Sequence, residues 1–248
     1  KPTYDFLDLN SERLSGIASF IGLNILLLFF IITFNYEQFV ELPKATANQL
    51  AEETHERVGA VIGSIVMAIV VIMFYFKGSF NFDKKAKFLK ILAQIWVFLN
   101  AILVISAMLK NTEYVYYLGL TYKRLGVYAF LSLAIIGLIF TFVKIQKQKT
   151  NAYLFNQMFW YVYGTILVCS FINWGGIITS HNLKREDFAA NYHFNSVDFN
   201  DKQLLEYYQK TNNKEMYKIL KDKIIARQNE SFLSKVLYDE SISFNESK

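Results

Sequence analysis

The chain has 248 residues, of which 53% are apolar and 17% aromatic, and it contains only two prolines. This profile lies outside that of soluble globular domains and predicts that lipid surrounds much of the chain. The net charge of +5 does not indicate nucleic-acid binding, because the lysines are divided among short segments and form no continuous basic stripe. We expect those lysines to contact anionic lipid headgroups, and we predict no nucleic-acid partner.

Five apolar blocks follow one another along the first part of the chain. A helix of about 20 apolar residues crosses the roughly 30 Å hydrocarbon layer of a membrane. The predicted fold class is therefore all-α, a polytopic transmembrane helical bundle with an external helical tail. The five spans are predicted at about residues 14–34, 58–76, 88–109, 125–143 and 152–178. The last block is longer than one crossing requires, and a tilted helix would accommodate the extra length.

The first residues and the loops between the blocks predict the orientation in the membrane. The chain begins with Lys1, and residues 1–13 lack the apolar core of a signal peptide, so we expect further residues and spans upstream. Lys and Arg are more frequent in residues 1–13 and in the loops at 77–90 and 144–149 than in the other connecting segments. The positive-inside rule then places the start of the fragment in the cytoplasm and the tail outside.

The second block carries small residues at helical spacing, which predict a helix-packing face. Gly59 and Gly63 are four residues apart, and Ala60, Ser64 and Ala68 repeat this spacing one position later. In lipid, helices associate where small residues allow their backbones to approach closely. Either this stripe packs against another helix, or the spacing is a coincidence that lipid tolerates.

The chain divides by composition into two predicted domains. Residues 1–180 form the transmembrane helical domain, and residues 181–248 form a polar helical tail. Within the tail, Asn200 followed by Gln203 resembles the start of a helix at 202–210, and Asn212 with Glu215 forms a capping box that begins a second helix. Apolar residues recur at helical spacing on that second helix and predict a packing face: Met216, Ile219, Leu220 and Ile224.

No group of residues in the sequence is typical of an enzyme. Cys169 has no histidine at the spacing of a nucleophile and its base, and the adjacent Gly175 and Gly176 are interpreted as a turn at the end of a span. No Asp or Glu lies in the middle of a span, which weighs against an ion pump. We therefore predict no catalytic residue and no cofactor.

The histidines raise the alternative of a metal site. His55, His181 and His193 are all expected on the external side, and three imidazoles with nearby carboxylates are able to bind zinc. The spacing of His181 and His193 matches no standard ligand pair, so no metal is predicted. The favoured interpretation of His55 is a hydrogen-bonded anchor at the membrane surface, beside an ion pair of Glu53 with Arg57.

The segment NTEYVYYLGLTYKRLGV at residues 111–127 is the most distinctive stretch of the sequence. Other distinctive pieces are ERLSGIA before the first block, SIVMAIVVIMFYFKGSFNF in the second, WVFLN in the third and INWGGIITSHN after the fifth. Together these pieces, over roughly residues 11–182, resemble the C-terminal part of a family of bacterial multi-span inner-membrane proteins catalogued as a domain of unknown function (the 4153/4173 type). The resemblance implies a multi-pass protein of the bacterial inner membrane and nothing about its chemistry.

The resemblance also indicates which residues a functional site would use. The family's recurring positions correspond here to His55, Tyr114, Gly119, Leu120, Thr121, Arg124, Asn173 and Asn182. With these we group three neighbours as candidate functional or anchoring residues: Arg57, Tyr117 and Tyr122. Arg124 is expected to extend to lipid phosphates, with Tyr117 and Tyr122 at the membrane surface beside it.

Two functions remain open from the sequence. The first is a non-enzymatic membrane component that binds other membrane helices or a protein partner through the small-residue stripe, the external loops and the tail. The second is a transporter or lipid-handling protein whose path is completed by upstream spans. It is suggested by His55 and Arg124 and by six amide side chains within the spans: Asn24, Gln94, Asn100, Asn156, Gln157 and Asn173.

Overall fold

Helices make up almost all of the chain that the structure describes, and no strand occurs in that part. The computed structural model describes residues 9–40, 47–76, 83–230 and 235–244. The side chains of 9, 37–40, 47–57 and 84 are outside this description. The predicted all-α class is confirmed.

Four long helices have the length and hydropathy needed to cross a membrane. They are α1 (Leu9–Val40), α2 (Ala47–Tyr75), α3 (Lys87–Leu118) and α4 (Tyr122–Gln146). Each is longer than the apolar block that predicted it, because polar residues beyond the block continue the helix; in α2 they do so only at the N-terminal end. These are the helices of a multi-pass membrane protein.

The fifth predicted span is not one straight helix. It consists of α5 (Asn151–Ser170) and α6 (Trp174–Asn182), and the two are bent by 68° at the break between them. Asn173 begins α6 as its N-cap, since its Oδ1 accepts a hydrogen bond from Gly176 N at 2.9 Å. The single tilted helix predicted at 152–178 is therefore wrong, and the described residues contain four spans, or five if the bent pair crosses as one.

The chain forms two compact units. The first, here called the membrane unit, comprises residues 1–118 and 123–170 and contains α1 to α5. In it α3 packs against both α1 and α2, and α4 contributes to the same apolar core. The fully buried side chains of this core include Phe20, Ile65, Ile72, Leu89, Leu103, Leu131 and Leu138.

Polar side chains inside the membrane unit bond to neighbouring helices. Asn24 Nδ2 donates to the carbonyl oxygen of Leu92 at 3.1 Å, and Gln94 Nε2 donates to Gln146 Oε1 at 2.8 Å. At the C-terminal end of α2, the fully buried Lys144 donates from Nζ to the Phe76 carbonyl at 3.3 Å. The last carbonyls of a helix have no partner within it, so Lys144 supplies a missing donor there.

The small-residue stripe lies only partly in a helix interface. The residues of α2 that are buried in the core are Val61, Ile65, Ala68 and Ile72. Gly59 and Gly63 are exposed, and a Cβ added to either would meet no atom within 4 Å. Ala60 is exposed and Ser64 is half-buried. Of the stripe, only Ala68 is fully buried in this core, and a partner for the two glycines stays a prediction.

The second unit, here called the tail unit, comprises residues 119–122 and 171–248. Its described helices are α6, α7 (Ala190–Ser196), α8 (Asp201–Lys210), α9 (Lys214–Gln228) and α10 (Leu237–Glu240). Helix α8 packs against α6, α7 and α9. The buried apolar core of the unit consists of Leu204, Leu205, Tyr208, Leu220, Ile224 and Ile242.

The predicted start of α9 is displaced by one residue. Asn213, and not Asn212, is the N-cap, because its Oδ1 accepts from Met216 N at 3.1 Å. Asn212 adopts φ 54, a left-handed conformation that asparagine tolerates better than most residues.

The last described segment is held by charges on α8 and α9. Arg227 NH2 bonds to Asp201 Oδ2 at 2.7 Å and to Asp239 Oδ1 at 3.0 Å. Burial raises the pKa of Asp239, and the neighbouring Arg227 opposes that effect. Gln228 Nε2 adds bonds to the carbonyls of Asp239 and Ile242, so α10 is fixed to the unit.

Candidate functional site on helix α6

The residues predicted from the sequence fall into different parts of the molecule. Tyr114, Tyr117 and Arg124 belong to the membrane unit, whereas Gly119, Thr121, Tyr122 and Asn173 belong to the tail unit. His55 and Arg57 lie on α2, and their side chains are outside the described part of the chain.

Arg124 closes the turn between α3 and α4. Its NH1 donates to the Leu118 carbonyl at 2.8 Å, and its guanidinium lies 4.0 Å from the centroid of the Tyr114 ring. Asn111 Nδ2 donates in turn to the Arg124 carbonyl at 3.2 Å. A cation over an aromatic face and a donor to a helix C-terminus both stabilise a turn. This placement differs from the predicted extension toward lipid phosphates, because the Leu118 carbonyl and the Tyr114 ring lie within reach.

The turn residues Gly119 and Leu120 pair with an asparagine side chain from α6. Leu120 N donates to Asn182 Oδ1 at 2.7 Å, and Asn182 Nδ2 donates to the Leu120 carbonyl at 2.8 Å. Gly119 has φ 80, and a Cβ on it would lie 2.8 Å from Asn182 Oδ1. Glycine is therefore required here both for its backbone conformation and for the close approach of Asn182.

Asn182 continues into a buried chain of polar groups, here called the α6 network. Its members are the Leu120 backbone and the side chains of Thr179, Asn182, His193 and Asn200. Asn182 Nδ2 lies 3.2 Å from His193 Nε2, and His193 Nδ1 lies 2.9 Å from Thr179 Oγ1. Asn200 Nδ2 donates to Thr179 Oγ1 and to the His193 carbonyl, both at 2.9 Å. All four side chains are buried.

The bonding pattern fixes the protonation of His193. Because Leu120 orients the Asn182 amide, Nδ2 of Asn182 is the donor toward His193 Nε2, which must therefore carry no proton. The remaining imidazole proton is on Nδ1 and is donated to Thr179 Oγ1. Burial lowers the pKa of His193 and so favours the same neutral form. The ring also stacks on Phe188, with centroids 4.7 Å apart.

The α6 network accounts for the histidine that was considered as a zinc ligand. Both ring nitrogens of His193 are occupied by protein groups, so a metal would have to displace Thr179 or Asn182. His181 and His193 are not brought together in a ligand set. Among the described residues, no three His, Cys, Asp or Glu side chains are grouped as a metal site would require.

The opposite face of α6 lines an open cavity of about 470 Å³. Helix α6 and the residues beside it supply Asn173, Gly176, Ile177, Ser180, His181 and Lys184, and α8 supplies Gln203. A Cβ on Gly176 would lie 3.0 Å from both Asn173 Nδ2 and Gln203 Nε2, so glycine lets these amides approach the helix. Gln203 Oε1 is buried and has no hydrogen-bond partner among the described residues.

Sequence reasoning missed the residues that complete the network. Asn200 was expected only to begin a helix, but its amide bonds to Thr179 and His193 and makes no cap hydrogen bond. Gly175 and Gly176 were interpreted as a turn, but both lie in α6, where a Cβ on Gly175 would overlap the Asp198 carbonyl. The available signal was the spacing of Gly175, Thr179 and Asn182, which share one helix face.

Comparison with known proteins agrees with the resemblance seen in the sequence. The family model described as a domain of unknown function (DUF4153) matches residues 5–204, which includes both the α3–α4 turn and the α6 network. No curated protein and no solved structure matches the chain. Since the family model covers most of the sequence, the chain belongs to the DUF4153 family of multi-pass membrane proteins.

Proposed function

We propose that this protein is a non-enzymatic component of a bacterial inner-membrane assembly, and that its tail unit binds a protein partner. The observation that carries this proposal is an exposed apolar patch on the tail unit. This surface is here called the Phe199 patch, and it consists of Phe199, Val236, Leu237 and Tyr238.

The Phe199 patch presents large side chains to the exterior. Leu237 is 89% exposed and Phe199 is 50% exposed. The Phe199 ring meets the Tyr238 ring edge-on, with centroids 5.4 Å apart, which joins Phe199 to the segment that carries Val236 and Leu237. Contiguous exposed apolar residues mark interaction sites, and aromatic residues contribute much of the binding energy at protein interfaces.

The backbone at Phe199 supports a binding role. Phe199 has φ 55, a left-handed conformation that is costly for a bulky residue. Asn173 Nδ2 holds it there by donating to the Phe199 carbonyl at 2.9 Å. Folding gains little from an aromatic ring that is held exposed at such a cost, so we interpret the position as selected for contact with another molecule.

Charged residues around the patch favour a protein over a membrane surface. Asp198 and Glu240 are exposed beside Phe199 and Tyr238, and Lys235 Nζ pairs with Glu240 Oε1 at 3.2 Å. Carboxylates are repelled by anionic lipid headgroups, whereas an apolar centre with a charged rim is the usual arrangement of a protein interface. The Lys and Arg bias places this surface outside the cytoplasm in our proposal.

A membrane helix is a second partner that the proposal includes. The exposed Gly59 and Gly63 of α2 leave an open surface on which the backbone of another helix fits closely.

Site-specific photocrosslinking tests the partner proposal. A photoreactive residue replaces Leu237 in the full chain in living cells, with the exposed Asp222 of α9 as the matched control position. We expect one discrete protein adduct from position 237 that position 222 does not give. We also expect Phe199→Ser to reduce the adduct about tenfold, which is the loss of one aromatic anchor. Adducts with phospholipid only, or equal adducts from both positions, would contradict the proposal.

A further inference from the structure

Helix α6 has one buried face and one open face, and the open face collects basic and polar groups. Ile177, Ser180, His181 and Lys184 follow one another at helical spacing along the open face and line the cavity described above. The α6 network on the other face fixes the helix in place through Thr179 and Asn182. The cavity wall is therefore a rigid element.

The cation at the edge of this cavity is available to a ligand. Lys184 is exposed and forms no ion pair with any described residue, whereas the next residue, Arg185, is paired with Asp187 at 2.8 Å. His181 Nδ1 lies 3.3 Å from Asn182 Oδ1 and donates to it, so His181 Nε2 donates to an anion when the ring is in its doubly protonated imidazolium form. A lysine and a histidine with no acidic residue in the cavity lining indicate a site for an anion.

The Gln203 amide on the opposite wall of the cavity has an oxygen that lacks a hydrogen-bond donor among the described residues. Gln203 Oε1 is buried without a partner among the described residues, and its Nε2 lies over Gly176. A buried acceptor left without a donor is unfavourable, so a ligand that supplies a donor gains affinity. The ligand that fits both walls carries an anionic group and a hydroxyl or ammonium group.

The position of the cavity in the chain indicates the source of such a ligand. Asn173, which lines it, follows three residues after Ser170, the last residue of apolar helix α5. Phe171 between them is 83% exposed, and Ile177 within the cavity is 45% exposed. Helices α5 and α6 qualify as a candidate span only as a bent pair, and Lys184 follows the end of that pair. Exposed apolar side chains and a lysine at the end of a candidate span are suited to the lipid headgroup region.

We propose that this cavity binds the phosphate of a phospholipid whose headgroup also carries a hydroxyl or ammonium donor. Lys184 and His181 contact the phosphate oxygens, and Gln203 accepts from the headgroup donor. Asn173 lines this cavity and also bonds to the Phe199 carbonyl, but Lys184, His181 and Gln203 are not part of the Phe199 patch. The lipid proposal and the protein-partner proposal are therefore tested by different side chains, and either can fail without the other.

Native mass spectrometry of the full chain in detergent tests the site with defined lipids. Phosphatidylethanolamine, which has N–H donors, is expected to bind more tightly than phosphatidylcholine, which has the same phosphate and the same zero net charge but no donor. Phosphatidylglycerol, which has hydroxyl donors and a net negative charge, should bind at least as tightly as phosphatidylethanolamine. Lys184→Gln is expected to weaken phosphatidylglycerol binding about fivefold or more, the effect of one lysine near a headgroup. The double variant His181→Gln/Lys184→Gln should lose more. Lys218→Gln on α9 removes the same charge from an exposed site elsewhere on the unit and should change nothing.

Three results would overturn the proposal. The first is equal binding of phosphatidylcholine and a lipid whose headgroup has a donor. The second is an equal loss of phosphatidylglycerol binding in the Lys184→Gln and Lys218→Gln variants. The third is displacement of phosphatidylglycerol by soluble glycerol 1-phosphate at the same concentration as by added lipid. The third result would show that the cavity takes a free phosphate ester. Hydrogen exchange of residues 174–200 in each variant verifies that α6 remains folded. An unchanged Leu237 crosslink in Lys184→Gln confirms that the two sites are separate.

Discussion

The membrane unit and the tail unit use buried polar groups in opposite ways. In the membrane unit, the half-buried Asn24 and the buried Lys144 each bond to a carbonyl of another segment at separate points among apolar core side chains. In the tail unit, Asn182, His193 and Asn200 form a continuous chain in which each bond sets the direction of the next. The comparison shows that a helical bundle in lipid needs the right hydropathy, whereas a small polar unit needs particular atoms at particular places.

The two units should therefore respond differently to substitution. Substitution of one apolar residue by another on an exposed face of α1 or α4 keeps the lipid contacts that the original residue made. A substitution in the α6 network leaves other members buried without partners, which costs more than the bond itself.

The largest expected effect is that of Asn182→Ala. It removes the partners of both the Leu120 N–H and the Leu120 carbonyl and leaves His193 Nε2 without a donor. We expect the free energy of local opening in the tail unit to fall by about 2–4 kcal/mol. Hydrogen exchange measured by mass spectrometry should show faster exchange in peptides that cover 119–122 and 179–200.

The matched control for this variant is Asn191→Ala on α7, because Asn191 is exposed. The hydrogen-exchange rates of the Asn191→Ala variant should equal those of the original chain. If Asn182→Ala leaves exchange in both peptides unchanged, the network does not hold the tail unit together.

Gly119→Ala should have the next largest effect. Alanine is strained at φ 80, and its Cβ would contact Asn182 Oδ1. We expect the free energy of local opening to fall by about 2 kcal/mol, with faster exchange at Leu120. Gly126→Ala in α4 is the control, since a Cβ there meets no atom within 4 Å. An equal change in both variants would mean that the close approach at Gly119 is unimportant.

A smaller effect is expected from acidification. The pKa of His193 is lowered from its usual 6.5 by burial, so the unfolded tail binds the proton at a higher pH than the folded tail does. The stability of the tail unit is therefore complete above about pH 6.5 and decreases as the pH falls below that value. Protonated Nε2 would also face the Asn182 Nδ2 donor. Exchange of peptides that contain residue 193 should accelerate between about pH 7 and pH 5.5, after correction for intrinsic rates.

The variant His193→Gln separates this effect from other titrations. Glutamine offers one acceptor and one donor as neutral histidine does, but it does not titrate. Its exchange should lack the pH dependence, and a dependence that persists would assign the effect to another group.

The sequence was sufficient to predict the helices that depend on the hydropathy of consecutive residues. The apolar blocks around Leu27, Ile65, Leu103 and Leu138 predicted α1 to α4, because hydropathy over about 20 residues reports directly on the surrounding solvent. The break after Ser170 was not predictable in this way. It depends on Asn173, whose amide bonds to the Phe199 carbonyl, a residue 26 positions later.

The candidate site was predictable as a set of positions and not as an arrangement. Leu120 and Asn182 were both indicated by the family resemblance, yet nothing in the sequence joins residues 62 positions apart into one hydrogen-bonded pair. Arg124 was expected to extend to lipid phosphates, and in the structure its guanidinium lies over the Tyr114 ring. His193 had been weighed as a metal ligand, because an imidazole in a sequence does not reveal which groups will surround it.

The pairing of Asn182 with Leu120 has a consequence for how the protein can be divided. Residues 119–122 lie between two membrane helices in the chain and yet belong to the tail unit. A cut after Ser170 would therefore produce neither a complete membrane unit nor a complete tail unit. The first fragment would keep the turn at residues 119–122, with the Leu120 backbone groups lacking their hydrogen-bond partner. The second fragment would contain Asn182 without the Leu120 backbone to which its side chain bonds.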